Sequence, residues 1–248
     1  MSTLISLCTY NEARNISELI PQLLELIPDA TVLVIDDNSP DGTGLAADEF
    51  ARSNSRVRVL HRPARLGLGT ATTAAFDYAV REGFTWLVNL DADFSHNPKY
   101  IPQLLQAMNQ CDVAIASRYV PGGGVVGWTV RRRLMSFLIN WWTRLMLGLK
   151  NHDNSGSFRC YSVALLARVD WSKAQATGYA IQEEILFRCL VEGARMQEIP
   201  FWFEDRRYGS TKINLRECLR AVWVIFRLGL LRFKKSSSGN ESLTESSS

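Results

Sequence analysis

The chain has 248 residues, room for one generous domain or two small ones, and 46% are hydrophobic against 21% charged, which excludes a largely disordered or fibrous chain. The net charge of +3 hides an asymmetry: residues 1–205 carry 19 Lys and Arg against 22 Asp and Glu, whereas residues 206–235 carry nine basic residues and only Glu217. A near-neutral body with one basic end argues against general nucleic-acid binding and for an anionic surface or ligand met in one place. The five cysteines, Cys8, Cys111, Cys160, Cys189 and Cys218, form no Cys-x-x-Cys pair and lie far from the three histidines. Neither a zinc site nor a disulfide framework is expected, and a reducing compartment fits. No basic stretch followed by an apolar run opens the chain, so no signal peptide is expected, and no run reaches the ~18 apolar residues of a regular membrane span.

In chain order, Leu4–Thr9 reads as a strand and Ile16–Ile27 as a helix with apolar residues at helical spacing. Thr31–Asp36 is a β-branched apolar run, hence a buried strand, and Thr43–Ser53 is helical. Val57–Leu60 is a strand, Thr70–Glu82 a helix, Trp86–Leu90 a strand, Ile101–Asn109 a helix and Val113–Ala116 a strand. Repeated strand–helix units predict an α/β fold with a mostly parallel sheet covered on both faces. In such sheets ligands bind beyond the carboxyl ends of the strands.

Three of those ends carry polar clusters: Thr9-Tyr10-Asn11-Glu12, the run Asp36 to Thr43, and Asp91-Ala92-Asp93-Phe94-Ser95-His96. Helix capping and turn formation are an equal reading for Asn38, Ser39 and Asp41. They do not account for Asp91 and Asp93, two carboxylates one residue apart after a buried strand. These would point the same way in extended chain and repel, and a hard divalent cation offsets that repulsion. There is no Gly-x-Gly-x-x-Gly after the first strand and no P-loop, which argues against a dinucleotide fold. Gly67-Leu68-Gly69 opens a helix, as a phosphate loop or simply as a tight turn.

Together these residues resemble a family 2 glycosyltransferase of GT-A fold, and within that group the dolichyl-phosphate (polyprenyl-phosphate) mannose synthases. The ordered set continues through Arg65 to Ala71, Asn97-Pro98, Ser117-Arg118-Tyr119, Gly122-Gly123-Gly124, Trp128, Ser155 to Arg159 and Asp205 to Lys212. It departs at Cys8, where the family often has Pro, at Leu66, where it often has Lys, and at Ser95, where some members have a metal-ligating Gln. The resemblance implies a catalytic domain over residues 1–213 that transfers mannose from GDP-mannose to a dolichyl or polyprenyl phosphate, with inversion. It implies Mg²⁺ or Mn²⁺ on Asp91 and Asp93, with Ser95 a doubtful third ligand. Thr9, Tyr10, Glu12, Asp37, Asp91, Ala92, Asp93, Arg207 and Lys212 match donor positions. Capping of the following helix is the alternative role for Glu12.

A phosphate monoester is already anionic near pH 7 and needs little general base, but cations must gather it beside the donor diphosphate. Arg118 and Arg132 are the acceptor-phosphate candidates, with Ser136 as a hydroxyl donor. These two arginines and the two aspartates make up the catalytic set. Arg159 reads either as part of the site or as a structural salt-bridge partner. Gln182, Glu183 and Glu184 begin a helix, where capping is an alternative role.

The lipid must be met at the bilayer. Leu134–Leu149 is apolar around most of its circumference and follows Arg131-Arg132-Arg133, but Asn140 and Arg144 interrupt it. Sixteen residues at ~1.5 Å rise reach about 24 Å, short of a ~30 Å hydrocarbon core. Residues 131–149 are therefore expected to form an interfacial acceptor helix, and residues 214–235 a basic amphipathic one. Either could also be a buried core helix. Residues 236–248 are expected to be disordered by composition. The expected location is peripheral, on the cytoplasmic face of a membrane, with membrane helper subunits left open. UDP-glucose as donor is the nearest rival reading; a catalytically silent nucleotide-sugar-binding subunit is the rival from another class.

Overall fold

The computed structural model describes residues 1–174, 176, 178–205, 220–230 and 232. Strand and helix alternate as β1 (Thr3–Thr9), α1 (Ala13–Leu26), β2 (Ala30–Asp36), α2 (Thr43–Ser53), β3 (Val57–His61), α3 (Leu68–Arg81), β4 (Trp86–Asp91), α4 (Ile101–Ala107) and β5 (Val113–Ser117). The chain continues through β6 (Gly124–Val125), α5 (Val130–Leu147), β7 (Arg159–Ser162), α6 (Val163–Leu166), α7 (Ile181–Val191), β8 (Met196–Pro200) and β9 (Trp202–Phe203). The elements expected up to residue 116 are all present, with ends displaced by a few residues.

Seven strands form one sheet in the order β3-β2-β1-β4-β7-β5-β8, and β6 pairs with β9 in a separate ribbon. All neighbours in the large sheet are parallel except β7, which runs antiparallel between β4 and β5. Both faces are buried, which explains the unbroken apolar strands. Ile5, Leu7, Val32, Val34, Val88 and Leu90 point to the face covered by α1, α2 and α4. Leu4, Leu33, Ile35, Leu87, Val113 and Ile115 point to the face covered by α3, α6 and α7.

The helix expected over 131–149 runs from Val130 to Leu147, one residue earlier at its start and two at its end. Thr129 accepts the Arg132 N–H at its N-terminus, and Gly148 ends it at φ 71°, a left-handed conformation that glycine adopts without strain. Residues 220–230 are helical and lie against α5: Trp142 Nε1 donates to the Val222 carbonyl at 3.3 Å. Gly229 makes the approach close, since a Cβ there would stand 3.2 Å from Met146. The rest of the 214–235 segment and residues 236–248 lie outside the described residues, apart from Arg232. Among the described residues no helix is long and apolar enough to cross a membrane, and the cysteines Cys8, Cys111, Cys160 and Cys189 are unpaired.

Candidate active site

The carboxyl ends of β1, β2 and β4 lie side by side, because β1 pairs with both neighbours in parallel register. Thr9 stitches two of them together by donating its hydroxyl to the Ile35 carbonyl at 3.2 Å. Asp37, expected to read the nucleotide, spends both oxygens inside the protein. One is ion-paired to Arg62, both side chains being under a tenth exposed, and the other accepts the Gly67 N–H at 2.8 Å. Asp37 thus fixes the Gly67-Leu68-Gly69 turn, where Gly67 has φ 90°. Ser39 donates its N–H to Asp36 within the turn, while Asp41 accepts the Thr43 N–H locally and the Ala13 N–H at the start of α1. Glu12 sits at the N-cap of α1, yet its side chain caps no backbone N–H and accepts instead from Asn15. Tyr10, expected at the donor, presents its ring to Arg65, whose guanidinium lies 4.1 Å from the centroid, a pairing that sequence reasoning did not give.

At the end of β4 the chain does not stay extended as the Asp-x-Asp argument assumed. It turns at once, with Phe94 at φ 64°, so Asp91 and Asp93 occupy different surroundings. The Asp91 side chain is 41% exposed and accepts from Ser157 Oγ at 2.8 Å. His96 Nδ1 stands 3.9 Å from Asp91 Oδ2, but it accepts the Asp91 backbone N–H at 3.0 Å, so that nitrogen carries no proton and makes no salt bridge. The imidazole is wedged among Phe158, Phe201 and Phe203. Asp93 is buried and accepts the Ser95 N–H at 3.0 Å and its hydroxyl at 2.6 Å. Ser95 therefore braces Asp93, and Ala92 fills the buried turn between the two aspartates.

Among the described residues no third His, Cys, Asp or Glu joins Asp91 and Asp93 to complete a closed metal site. Two carboxylates, one of them open to solvent, fit a hard divalent ion that keeps water and phosphate oxygens as its other ligands. They do not fit a closed zinc-type site.

The cationic cluster lies past β5. Arg118 holds Asp153 through a two-pronged pair, Nε to Oδ2 at 2.7 Å and Nη2 to Oδ1 at 2.6 Å. Burial alone would push the Asp153 carboxyl up; the guanidinium overrides this and holds it below the usual carboxylate range. Arg118 Nη2 also reaches Ser155, two residues before the Ser157 that bonds Asp91. Arg132 Nη1 meets Asp205 at 3.2 Å. Both guanidiniums stack on Trp128, Arg132 at 4.2 Å and Arg118 at 5.2 Å from the ring. Ser136 accepts from the Tyr119 hydroxyl at 2.6 Å, and burial keeps that phenol's pKa raised. A cleft of about 430 Å³ opens here, lined by Arg118, Tyr119, Trp128, Arg133, Phe137 and Trp202.

Arg159 is fully buried and donates to the carbonyls of Gln182 and Asn154 and to the Tyr161 hydroxyl, where a salt bridge was one expectation. Gln182, Glu183 and Glu184 do open α7, and all three are buried. Glu184 pairs with Arg188 and accepts the Ala176 N–H. Burial pushes the Glu183 carboxyl up to about 7. Arg207 and Lys212 lie outside the described residues. The structure brings Arg118 and Arg132 together on Trp128, sets Ser136 on Tyr119, and links Arg118 through Ser155 to the loop whose Ser157 bonds Asp91. It adds Trp128, Tyr119, Asp153 and Asp205, to which sequence reasoning gave no role. Their roles depend on partners distant in the chain.

Residues 5–170 match the model of glycosyl transferase family 2. The chain belongs to that family. This glycosyltransferase is 39% identical over 225 residues to the polyprenol monophosphomannose synthase of Mycolicibacterium smegmatis, covering 89% of this chain and 85% of the relative. It is 37% identical over 230 residues to the undecaprenyl-phosphate mannosyltransferase of Micrococcus luteus, covering 93% and 95%. Its fold matches the glucosyl-3-phosphoglycerate synthase of Mycobacterium tuberculosis, crystallised with Mn²⁺, UDP-glucose and phosphoglyceric acid. The TM-score is 0.66 at 18% identity, over 92% of this chain and 79% of that one. The GT-A fold expected for the family 2 glycosyltransferase is thereby borne out.

Proposed function

We propose that this family 2 glycosyltransferase moves mannose from GDP-mannose to a polyprenyl phosphate, with inversion at the sugar carbon. The observation that carries the reading is the position of the cleft. It joins Arg118 and Arg133 to Phe137, which belongs to the exposed apolar stripe of α5, and Arg118 bonds Ser155 in the loop whose Ser157 bonds Asp91. A headgroup would enter a cationic, aromatic cleft while its tail stays on an apolar surface. The names of the two mannosyltransferase relatives support the same substrate class.

Asp91 and Asp93 would hold a divalent cation, which when bound supplies positive charge against the donor diphosphate. Tyr10 with Arg65 offers a face for the base, and Glu12 an acceptor for its N–H or the ribose O–H groups. Arg118 and Arg132 gather the acceptor phosphate, whose oxygen attacks the sugar carbon opposite the departing nucleoside diphosphate. No side chain need take a proton, because the attacking oxygen is already anionic. The protein works at a membrane surface. Val130, Leu134, Phe137, Leu138, Trp141 and Leu145 are exposed on one side of α5, and Trp223, Phe226 and Leu230 are exposed on the helical segment packed against it.

A donor screen tests this. Purified protein, Mg²⁺ or Mn²⁺ and a short polyprenyl phosphate are offered labelled GDP-mannose or UDP-glucose. Labelled lipid from GDP-mannose, lost on chelation, is expected; labelled lipid from UDP-glucose alone overturns the donor assignment.

A further inference from the structure

Arg131, Arg132 and Arg133 fill the first turn of α5, and no acidic residue shares it. That end of a helix carries partial positive charge, so cations there are held against repulsion unless an anion joins them. Among the described residues Asp205 answers Arg132, from a half-exposed side chain and through Nη1. Two buried N–H donors on the same stack, Trp128 Nε1 and Arg132 Nε, have no partner among the described residues. Trp128 is itself nine-tenths buried and lines the cleft. Leaving a buried donor without an acceptor is destabilising. Two neighbouring donors beside three cations mark a place for an oxyanion.

We infer that Trp128 binds the acceptor's phosphate, its indole N–H donating to a phosphoryl oxygen beside the Arg132 Nε–H, while its ring faces hold Arg118 and Arg132 in position. The inference rests on the proposed function for the identity of that acceptor, and extends it to a residue and a specificity. A phenylalanine would provide the same platform for guanidinium stacking, so the indole N–H is the group the platform does not need. As a neutral donor it adds a hydrogen bond without adding charge to a site already holding three arginines. Hydrogen bonds to charged groups are roughly twice as strong as neutral ones, so the arrangement favours a phosphate monoester over the free polyprenol. The shared chemistry is a phosphate oxyanion, whether on a lipid or free in solution.

The test uses the whole protein without donor, titrated with farnesyl phosphate, inorganic phosphate and farnesol. The wild-type protein, labelled with ¹⁵N at its seven indoles, is followed by NMR, and affinities are taken by calorimetry. Farnesyl phosphate is expected to move the Trp128 indole N–H peak downfield, inorganic phosphate to move the same peak at higher concentration, and farnesol to leave it. Trp128→Phe is expected to bind farnesyl phosphate about ten- to a hundredfold more weakly, with GDP-mannose affinity unchanged. An unmoved peak at saturating farnesyl phosphate overturns the inference, as does wild-type affinity in Trp128→Phe. So does a wild-type protein that binds neither phosphate. The peak shift is read on wild-type protein and decides even where the variant unfolds. Should the peak respond while no mannose is transferred to the lipid, the assignment of Trp128 stands and the proposed function fails.

Discussion

Asp91 and Asp93 differ in what surrounds them, and substitutions should report that difference. Asp93→Asn keeps an oxygen to accept from Ser95, so the turn should hold and the melting temperature should stay within a few degrees. One anionic ligand is lost, and kcat should fall about a hundredfold at saturating donor and metal. Unchanged turnover would remove the metal from this position. Arg132→Ala leaves Asp205 half-exposed and able to be solvated, so stability should change little. The KM for lipid phosphate should rise at least tenfold while that for the nucleotide sugar stays put; equal weakening of both would move Arg132 to the donor side. Glu183 gives a pH signature. Its carboxyl is pushed from an ordinary value of 4.5 up to about 7 by burial, so the folded protein binds the extra proton between those values. Below 4.5 both states are protonated and no penalty exists. Stability is lost as pH rises towards about 7, by about 3 kcal/mol in all. Glu183→Gln should therefore melt higher than wild type at pH 8 and together with it at pH 4.5, as scanning calorimetry would register.

At the scale of elements, α5 would carry the proposed contact with a lipid acceptor. Asn140, which looked like an interruption of an apolar helix, faces inward: it accepts the Asn154 N–H at 2.6 Å and donates to Ser155. The residue that breaks the apolar pattern thus anchors the helix to the loop carrying Asp153. Trp141 and Leu145 are 52% and 55% exposed on the other side. Trp141→Ser with Leu145→Ser should leave the melting temperature nearly unchanged. Two apolar side chains at ~25 cal/mol per Å² are lost from any membrane contact, so vesicle affinity should drop about tenfold or more. Full affinity in a flotation assay would mean that another surface makes the contact.

For the whole molecule, two forces should hold the protein on a bilayer, and salt separates them. Cations near an anionic surface contribute about 1 kcal/mol each, fading within ~8 Å at physiological salt. The apolar faces of α5 and residues 220–230 contribute a term that salt does not screen. Binding to anionic vesicles should weaken at 1 M salt without vanishing, and alkaline carbonate should release the protein. Retention in the carbonate pellet would contradict a peripheral attachment.

The sequence alone determined the parallel-sheet scaffold. Buried strands such as Thr31–Asp36 and amphipathic helices such as Thr43–Ser53 declare themselves through local periodicity, and the polar runs at their ends mark the candidate site. Family motifs in order then fixed the family. What tertiary structure decided was how each polar residue is employed. Asp37 is claimed by Arg62 and Gly67, Arg118 by Asp153, and Arg159 by two carbonyls, none of them neighbours in sequence. The antiparallel β7, inserted between β4 and β5, brings Ser157 to Asp91. Trp128 gained a role only when Arg118, ten positions earlier, and Arg132, four later, closed on its ring. Periodicity is written in a few consecutive residues. The pairing of charges and donors depends on which distant segments the buried sheet brings within a hydrogen bond's length.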